Sequence, residues 1–401
     1  MNSYLGRYRK QLREELDGIL AFWMQFAPDR ENGGFYGSID NSNHPNPETE
    51  KGLVLNARIL WTFSAAFNQL KDRKYISIAE RAYHYVCDHF IDPEFGGAFW
   101  SVDFKGNKLD DRKQTYGIAF CIYGLSEYFR ATADESALDL AKDLFEQVEE
   151  HAFDKKQKGY IEAFTREWSP ISDLRLSQKD ANEAKTMNTH LHIVEAYANL
   201  YRVWPDRRLK KQIENLLEVF AHYIIDDSTN HMHLFFDENW NVKSRLISYG
   251  HEIEAAWLLQ EVAEIVRHPG WMVALRSRSV KIAEAAMEGM QADGGLNYES
   301  ENGKMSDDKH WWPQAEAMVG FFNAYQVTGN LKYLQQSIKT WEFTEKYIKD
   351  HENGEWFWGV HADHSLMSGF DKVGFWKCPY HNARACMELI ERIDRIYSLE
   401  D

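Results

Sequence analysis

The chain of 401 residues sets 62 acidic against 46 basic side chains, a formal charge of −16 with the acids dispersed rather than gathered into a tail. A field of that sign repels phosphate backbones and argues against a nucleic-acid partner. With no apolar run near bilayer length, a polar Met1 to Asp17, and four cysteines (Cys87, Cys121, Cys378 and Cys386) in neither a CxxC pair nor a disulfide framework, the expectation is a reduced, cytoplasmic, single-domain protein over residues 1–401, without a membrane partner.

A short glycine-aromatic signature recurs six times along the chain: GGFYG at Gly33, GGAFW at Gly96, GYIEAF at Gly159, HMHLFF at His231, GGLNYE at Gly294 and GEWFWG at Gly354. The interval is about 60 residues with one longer step, and a fixed period of this kind marks a repeat architecture. Two amphipathic segments separate successive copies, so one unit reads as helix, helix, then a short aromatic strand or turn. Twelve such helices bury their apolar stripes by closing into two concentric rings, an all-α (α/α)6 barrel with short β-strands and hairpins in its loops. A straight solenoid would need polar caps, yet Ile19 to Phe26 and Ala383 to Ile396 are as apolar as the middle segments. No heptad seam appears, which fits a monomer.

Along the helices, a few polar residues stand out. Arg58, within Asn56-Ala57-Arg58-Ile59-Leu60-Trp61, interrupts an apolar helix, either as an anion-binding group or in a buried ion pair. Met187-Asn188-Thr189-His190-Leu191-His192 starts another helix. Ser248-Tyr249-Gly250-His251-Glu252-Ile253-Glu254 opens a third, and a spacing of three places His251 and Glu254 on one face, where a carboxylate can orient an imidazole. Trp376-Lys377-Cys378-Pro379-Tyr380-His381-Asn382 puts His381 close to the start of the last helix, where the dipole disfavours the imidazolium. His231, His233, His361 and His364 read as structural.

Aromatic residues make up 14% of the chain, and many lie in or beside the loops. Their faces suit the C–H faces of sugar rings, as they also suit the filling of a wide barrel. His190 with His192, and Cys378 with His381, lack the second pair of a four-ligand metal site; HExxH, phosphate-loop and dinucleotide motifs are missing, so no metal or cofactor is expected. Two imidazoles on opposite faces of a carbon beside a carbonyl can remove and return its proton, with an arginine supporting the enediolate oxygens. Paired carboxylates among Asp180, Glu254 and Glu316 would serve glycoside hydrolysis instead, and a noncatalytic sugar-binding role is the third alternative.

The segments NARILWTFSAAF from Asn56, RKQTYGIAFCIYGLSEY from Arg112, MNTHLHIVEAYANLYRVWPD from Met187, SYGHEIEAAWLL from Ser248, HWWPQAEAMVGFFNAY from His310 and WKCPYHNARACMEL from Trp376 closely resemble the cellobiose 2-epimerases of the N-acylglucosamine 2-epimerase family, in register over nearly the whole chain. The resemblance implies an (α/α)6 barrel that interconverts glucose and mannose at the reducing end of β-1,4 disaccharides, through a cis-enediolate whose C2–C3 bond rotates between two proton transfers. It makes His251 and His381 the acid/base pair, has Glu254 assist His251, and gives Arg58 and His190 the oxygens of the reacting end. Tyr116, Asp180, Asn188, Trp312, Glu316 and Trp376 would line the pocket, the two tryptophans by stacking and the other four by binding hydroxyls. The same family includes enzymes for free mannose or N-acetylglucosamine and aldose–ketose isomerases, which return the proton to C1 instead of C2.

Overall fold

In a computed structural model, which describes residues 2–400, the helix pairs close on themselves. Among the described residues the twelve α-helices are α1 (Asn2–Phe26), α2 (Leu53–Leu70), α3 (Arg73–Tyr85), α4 (Thr115–Thr132), α5 (Glu135–Gln147), α6 (Met187–Val203), α7 (Arg207–Val219), α8 (Tyr249–Val266), α9 (Pro269–Ala286), α10 (Trp311–Thr328), α11 (Leu331–Phe343) and α12 (Tyr380–Glu400). Helices α2, α4, α6, α8, α10 and α12 pack in that order, and α12 returns to α2, so the inner ring is shut. Each outer helix leans on an inner one, α1 on α12 and α3, α5, α7, α9 and α11 on the helix before it. This is an (α/α)6 barrel rather than a solenoid.

The two rings differ as their sequences do. Every residue of α2 from Leu53 to Ser64 and of α10 from Trp311 to Ala324 is buried, because an inner helix meets neighbours on all sides. Helix α7 buries Leu209, Gln212, Ile213, Leu216, Leu217 and Val219, one stripe with the period of a surface helix. Helices α3, α5, α7 and α11 each run into a five-residue π-helical turn, and α9 into a 3₁₀ turn.

The recurring signature then turns the chain back. Asp29, Asp92, Asp154, Asp226 and Asp350 each accept from two backbone N–H groups two and three residues ahead. The turn closes through residues at positive φ, such as Gly33 (81°), Gly96 (71°) and Gly354 (76°), with Asn230 (63°) in the fourth copy, which explains why glycine recurs there. A short strand leads into five of the inner helices, and it pairs antiparallel with the strand of the next repeat, as in Lys113↔Phe164 and Lys185↔Phe236.

A buried lysine on these strands ties strand to turn: Lys51 to Asp29, Lys113 to Asp92 and Lys185 to Asp154, each at 2.8 Å. Burial alone would raise the Asp92 carboxyl, but Arg166 and Lys113 more than offset it and hold it well below the usual carboxylate range. Counted from Lys51, Lys113, Lys185, Ile247, Lys309 and Lys377, the six repeats share one register. All the inner helices therefore begin at the same end of the barrel, and their N-termini converge there.

Candidate functional site

That convergence encloses a cavity of about 690 Å³. The first turns of α4, α6, α8, α10 and α12 supply Tyr116, Asn188, His251, Trp312 and His381 to its wall, and Arg58, His192 and Glu254 line it from about one turn further on. Seven residues after each register position stand Arg58, Phe120, His192, Glu254, Glu316 and Arg384, one per helix. The converging helix N-termini favour an anion in the cavity and disfavour imidazolium.

His251 and His381 occupy the same register position, on α8 and α12, and both line the cavity. The Trp312 ring lies between them, with centroids 4.6 Å from His251 and 5.5 Å from His381. Nδ1 of His381 is 2.7 Å from Glu316 Oε1 and Nδ1 of His251 is 2.8 Å from the Ser248 hydroxyl, which leaves both Nε2 atoms without a protein partner. Burial, followed for His381 by the charges of Arg58 and Arg384, holds both imidazoles well below the ordinary histidine range, so they rest as neutral bases.

Arg58 is 3% exposed and stands in no ion pair among the described residues: its Nη2 donates to the Tyr116 hydroxyl (2.7 Å) and Nη1 to the Trp376 carbonyl (3.4 Å). Its guanidinium lies 4.2 Å from the Phe120 ring centroid and 4.8 Å from that of Tyr380. Tyr116, Asp180, Asn188, Trp312 and Trp376 all line the cavity. The Asn188 Oδ1 has no partner, while Asp180 caps its own loop, accepting from the Ser177 N–H (2.9 Å) and hydroxyl (2.7 Å).

Three expectations change. His190 lies behind the wall, fully buried, with Nδ1 donating to the Thr186 carbonyl (2.6 Å) and Nε2 accepting from the Tyr160 N–H (2.9 Å). Burial pushes its pKa down to about 3, and with both nitrogens engaged it fixes backbone rather than substrate. The histidine that faces the cavity is His192, two residues on, its Nδ1 2.9 Å from Glu195. Burial would raise Glu195, but Arg384 and His192 bring it down to about 2, so it stays ionised. Either histidine of the HxH pair fits a helix start; the register from the buried lysines selects the second.

Glu254 and Glu316 also move. Glu254 is bonded to Arg384 Nη2 (2.6 Å), and the histidine near it is His381 (3.9 Å) rather than His251. Glu316 is 1% exposed and accepts from His381, from Trp257 Nε1 (3.0 Å) and from Arg384 (2.7 Å), so it orients a base instead of binding hydroxyls. Burial and the charge of Glu316 hold Glu254 well above the usual carboxylate range, and its Oε2 has no partner among the described residues. Glu254, Glu316 and His381 offer three ligand atoms within 4.8 Å of one another, but the Arg384 guanidinium bonds both carboxylates and already supplies the cation. Arg384 is hidden from sequence reading because its partners Glu254 and Glu195 lie 130 and 189 residues away, whereas Glu195, three residues after His192, has the spacing that pairs His251 with Glu254 in the sequence.

A second, larger cavity of about 1390 Å³ lies at the other end of the ring. It is walled by the ion pairs Arg130–Glu127, Arg202–Glu261 and Arg392–Glu388, and Glu195, Trp257 and Arg384 form the septum between the two spaces.

Fold and site together define an (α/α)6-barrel protein whose pocket brings together two neutral imidazoles, a guanidinium and aromatic faces. The chain belongs to the N-acylglucosamine 2-epimerase (GlcNAc 2-epimerase) family, whose model matches residues 34–385. It is 50% identical over 385 residues to a cellobiose 2-epimerase of Bacteroides fragilis, covering 95% of this chain and 98% of that protein. A cellobiose 2-epimerase of Dictyoglomus turgidum is 39% identical over 387 residues, covering 96% and 98%. The solved cellobiose 2-epimerase of Bacillus thermoamylovorans superposes with a TM-score of 0.92 at 40% identity, covering 98% of this chain and all of that one.

Proposed function

We propose that the whole chain is one catalytic unit that epimerises C2 of the reducing-end glucose of cellobiose-type β-1,4 disaccharides to mannose, with no cofactor. The observation that carries this reading is the pair of neutral imidazoles, His251 and His381, at one register position and facing one cavity on either side of Trp312. One, neutral, removes the C2 proton of the open-chain sugar; the other takes a proton from solvent water and delivers it to the opposite face, and the first then gives its proton back to solvent, so both end neutral. Arg58 and His192 hold the oxygens on which the enediolate charge develops, aided by the converging helix N-termini. Glu316 and Ser248 fix the imidazole rings, Trp312 and Trp376 stack on sugar faces, and Tyr116, Asp180 and Asn188 bind hydroxyls. The reading includes a monomer in the cytoplasm, checked by light scattering of the purified protein.

Proton NMR of the protein with cellobiose in heavy water tests it: signals of a mannose-type reducing end should grow in with deuterium at C2. Free glucose would show hydrolysis, and ketose signals would show return of the proton to C1. No deuterium at C2 with cellobiose would overturn the reading.

A further inference from the structure

Inner helices α6, α8, α10 and α12 each use one first-turn residue to clamp the preceding glycine-aromatic turn. His190 accepts from the Tyr160 N–H (2.9 Å), Glu252 from the Met232 N–H (3.1 Å) and Gln314 from the Leu296 N–H (2.8 Å), while Asn382 donates to Glu355 (2.6 Å). Two of these clamps directly follow a base of the proposed reaction: His251 precedes Glu252, and His381 precedes Asn382. Whatever holds the clamp holds the backbone of the base.

The two clamps differ in kind. At α12 the Glu355 carboxylate also accepts from Lys377 (3.0 Å), a buried amine whose pKa burial lowers from the ordinary lysine value. At α8 the register position of that lysine is Ile247, and the cation facing Glu252 is His231, with Nδ1 at 2.9 Å. Glu252 is fully buried and its Oε2 has no partner among the described residues; burial raises its carboxyl above the ordinary range and His231 draws it back, so its charge depends on that imidazole. Also around His231 are Glu288, 3.3 Å from Nε2, the Tyr249 hydroxyl on α8, and Arg278 of α9, which binds the adjacent Asn230 (2.7 Å) and Asp227.

We propose that His231 is a positioning residue for epimerisation, its imidazolium holding Glu252 and through it the backbone of His251, so that turnover declines when His231 gives up its proton. The inference rests on the function proposed above. The hydrogen bond to Glu252 raises His231 above the ordinary histidine value of 6.5. The clamp is therefore complete below that value and is lost as pH rises through the raised one.

The test is the pH dependence of cellobiose epimerisation in the wild type, His231→Asn, Glu252→Gln and the double variant, with near-ultraviolet circular dichroism to follow folding. The wild type should lose kcat on an alkaline limb. His231→Asn keeps a donor without charge, and should lose about 10- to 100-fold in kcat near pH 6.5, with KM little changed and the limb gone. Pairing it with Glu252→Gln, the amide that α10 already uses, should restore most of kcat with a flat alkaline profile. Should His231→Asn not fold, Glu252→Gln alone should flatten the limb. A limb unchanged in His231→Asn or Glu252→Gln, or a folded double variant no better than the single, would overturn the proposal. A wild type that leaves cellobiose unchanged would instead defeat the epimerase reading.

Discussion

His190 and His192 are two residues apart, and the structure gives them opposite consequences. His192→Asn should lower kcat by roughly 10²-fold or more while the melting temperature holds, because its Nε2 faces the cavity. His190→Ala should do the reverse, costing about 1–3 kcal/mol of stability for the orphaned Tyr160 N–H. Thermal melts run beside initial rates decide between them. Replacing His251 or His381 with Ala should stop deuterium entry at C2 by about 10²- to 10⁴-fold in a folded protein. Trp376→Ala should raise KM more than it lowers kcat, and an unchanged KM would remove it from the pocket. Since burial depresses both bases, the protonation that silences them lies below pH 6.5; the rate should hold on acidification past that value and fall only when an imidazole gains its proton. His251, His381 and Arg58 stand out by local signals, a helix start or a charge in an apolar run, while Tyr116, Trp312 and Trp376 come to the pocket only through the family resemblance. The supporting role of Glu254 was not legible, because spacing along one helix cannot report that Glu254 answers to α12.

Among the elements, the strand-to-turn ion pairs do the most to set where an inner helix begins. Lys113→Met should cost about 3–5 kcal/mol, since it strips Asp92 of its buried partner, and chemical denaturation would measure the loss. A cost close to zero would mean that Arg166 alone satisfies Asp92. Positive φ at the turn favours glycine, though Lys158, Asn230 and Glu355 also adopt it in their copies. Periodicity showed the helices but not these ion pairs, because lysine and aspartate are ordinary surface residues until the fold brings them together more than twenty residues apart. The fourth repeat has Ile247 where the others carry the lysine, and its turn carboxylate, Asp226, bonds Ser228 instead.

On the scale of the whole molecule, closure was foreseeable from the apolar character of the first and last helices. Helices α1 and α12 pack together, and Arg9 binds Asp394, so the two ends of the described chain are neighbours. A permutant with joined termini, opened at the exposed turn of Gly329 and Asn330, should fold and epimerise, because that turn lies far from the 690 Å³ cavity. Loss of activity with a native melting temperature would show that the cut couples to the site.

The ring also constrains the substrate. His251 and His381 stand on α8 and α12, with only α10 between them, so the two bases are two steps apart in a circle of six and do not face each other across its diameter. Groups so placed cannot address the two faces of a stationary carbon from opposite sides. The septum of Glu195, Trp257 and Arg384 closes the space beneath, and the bases are pinned by Ser248 and Glu316. On the function proposed above, with both bases pinned, the moving part of the reaction is the sugar, whose planar intermediate pivots between two nearly adjacent stations.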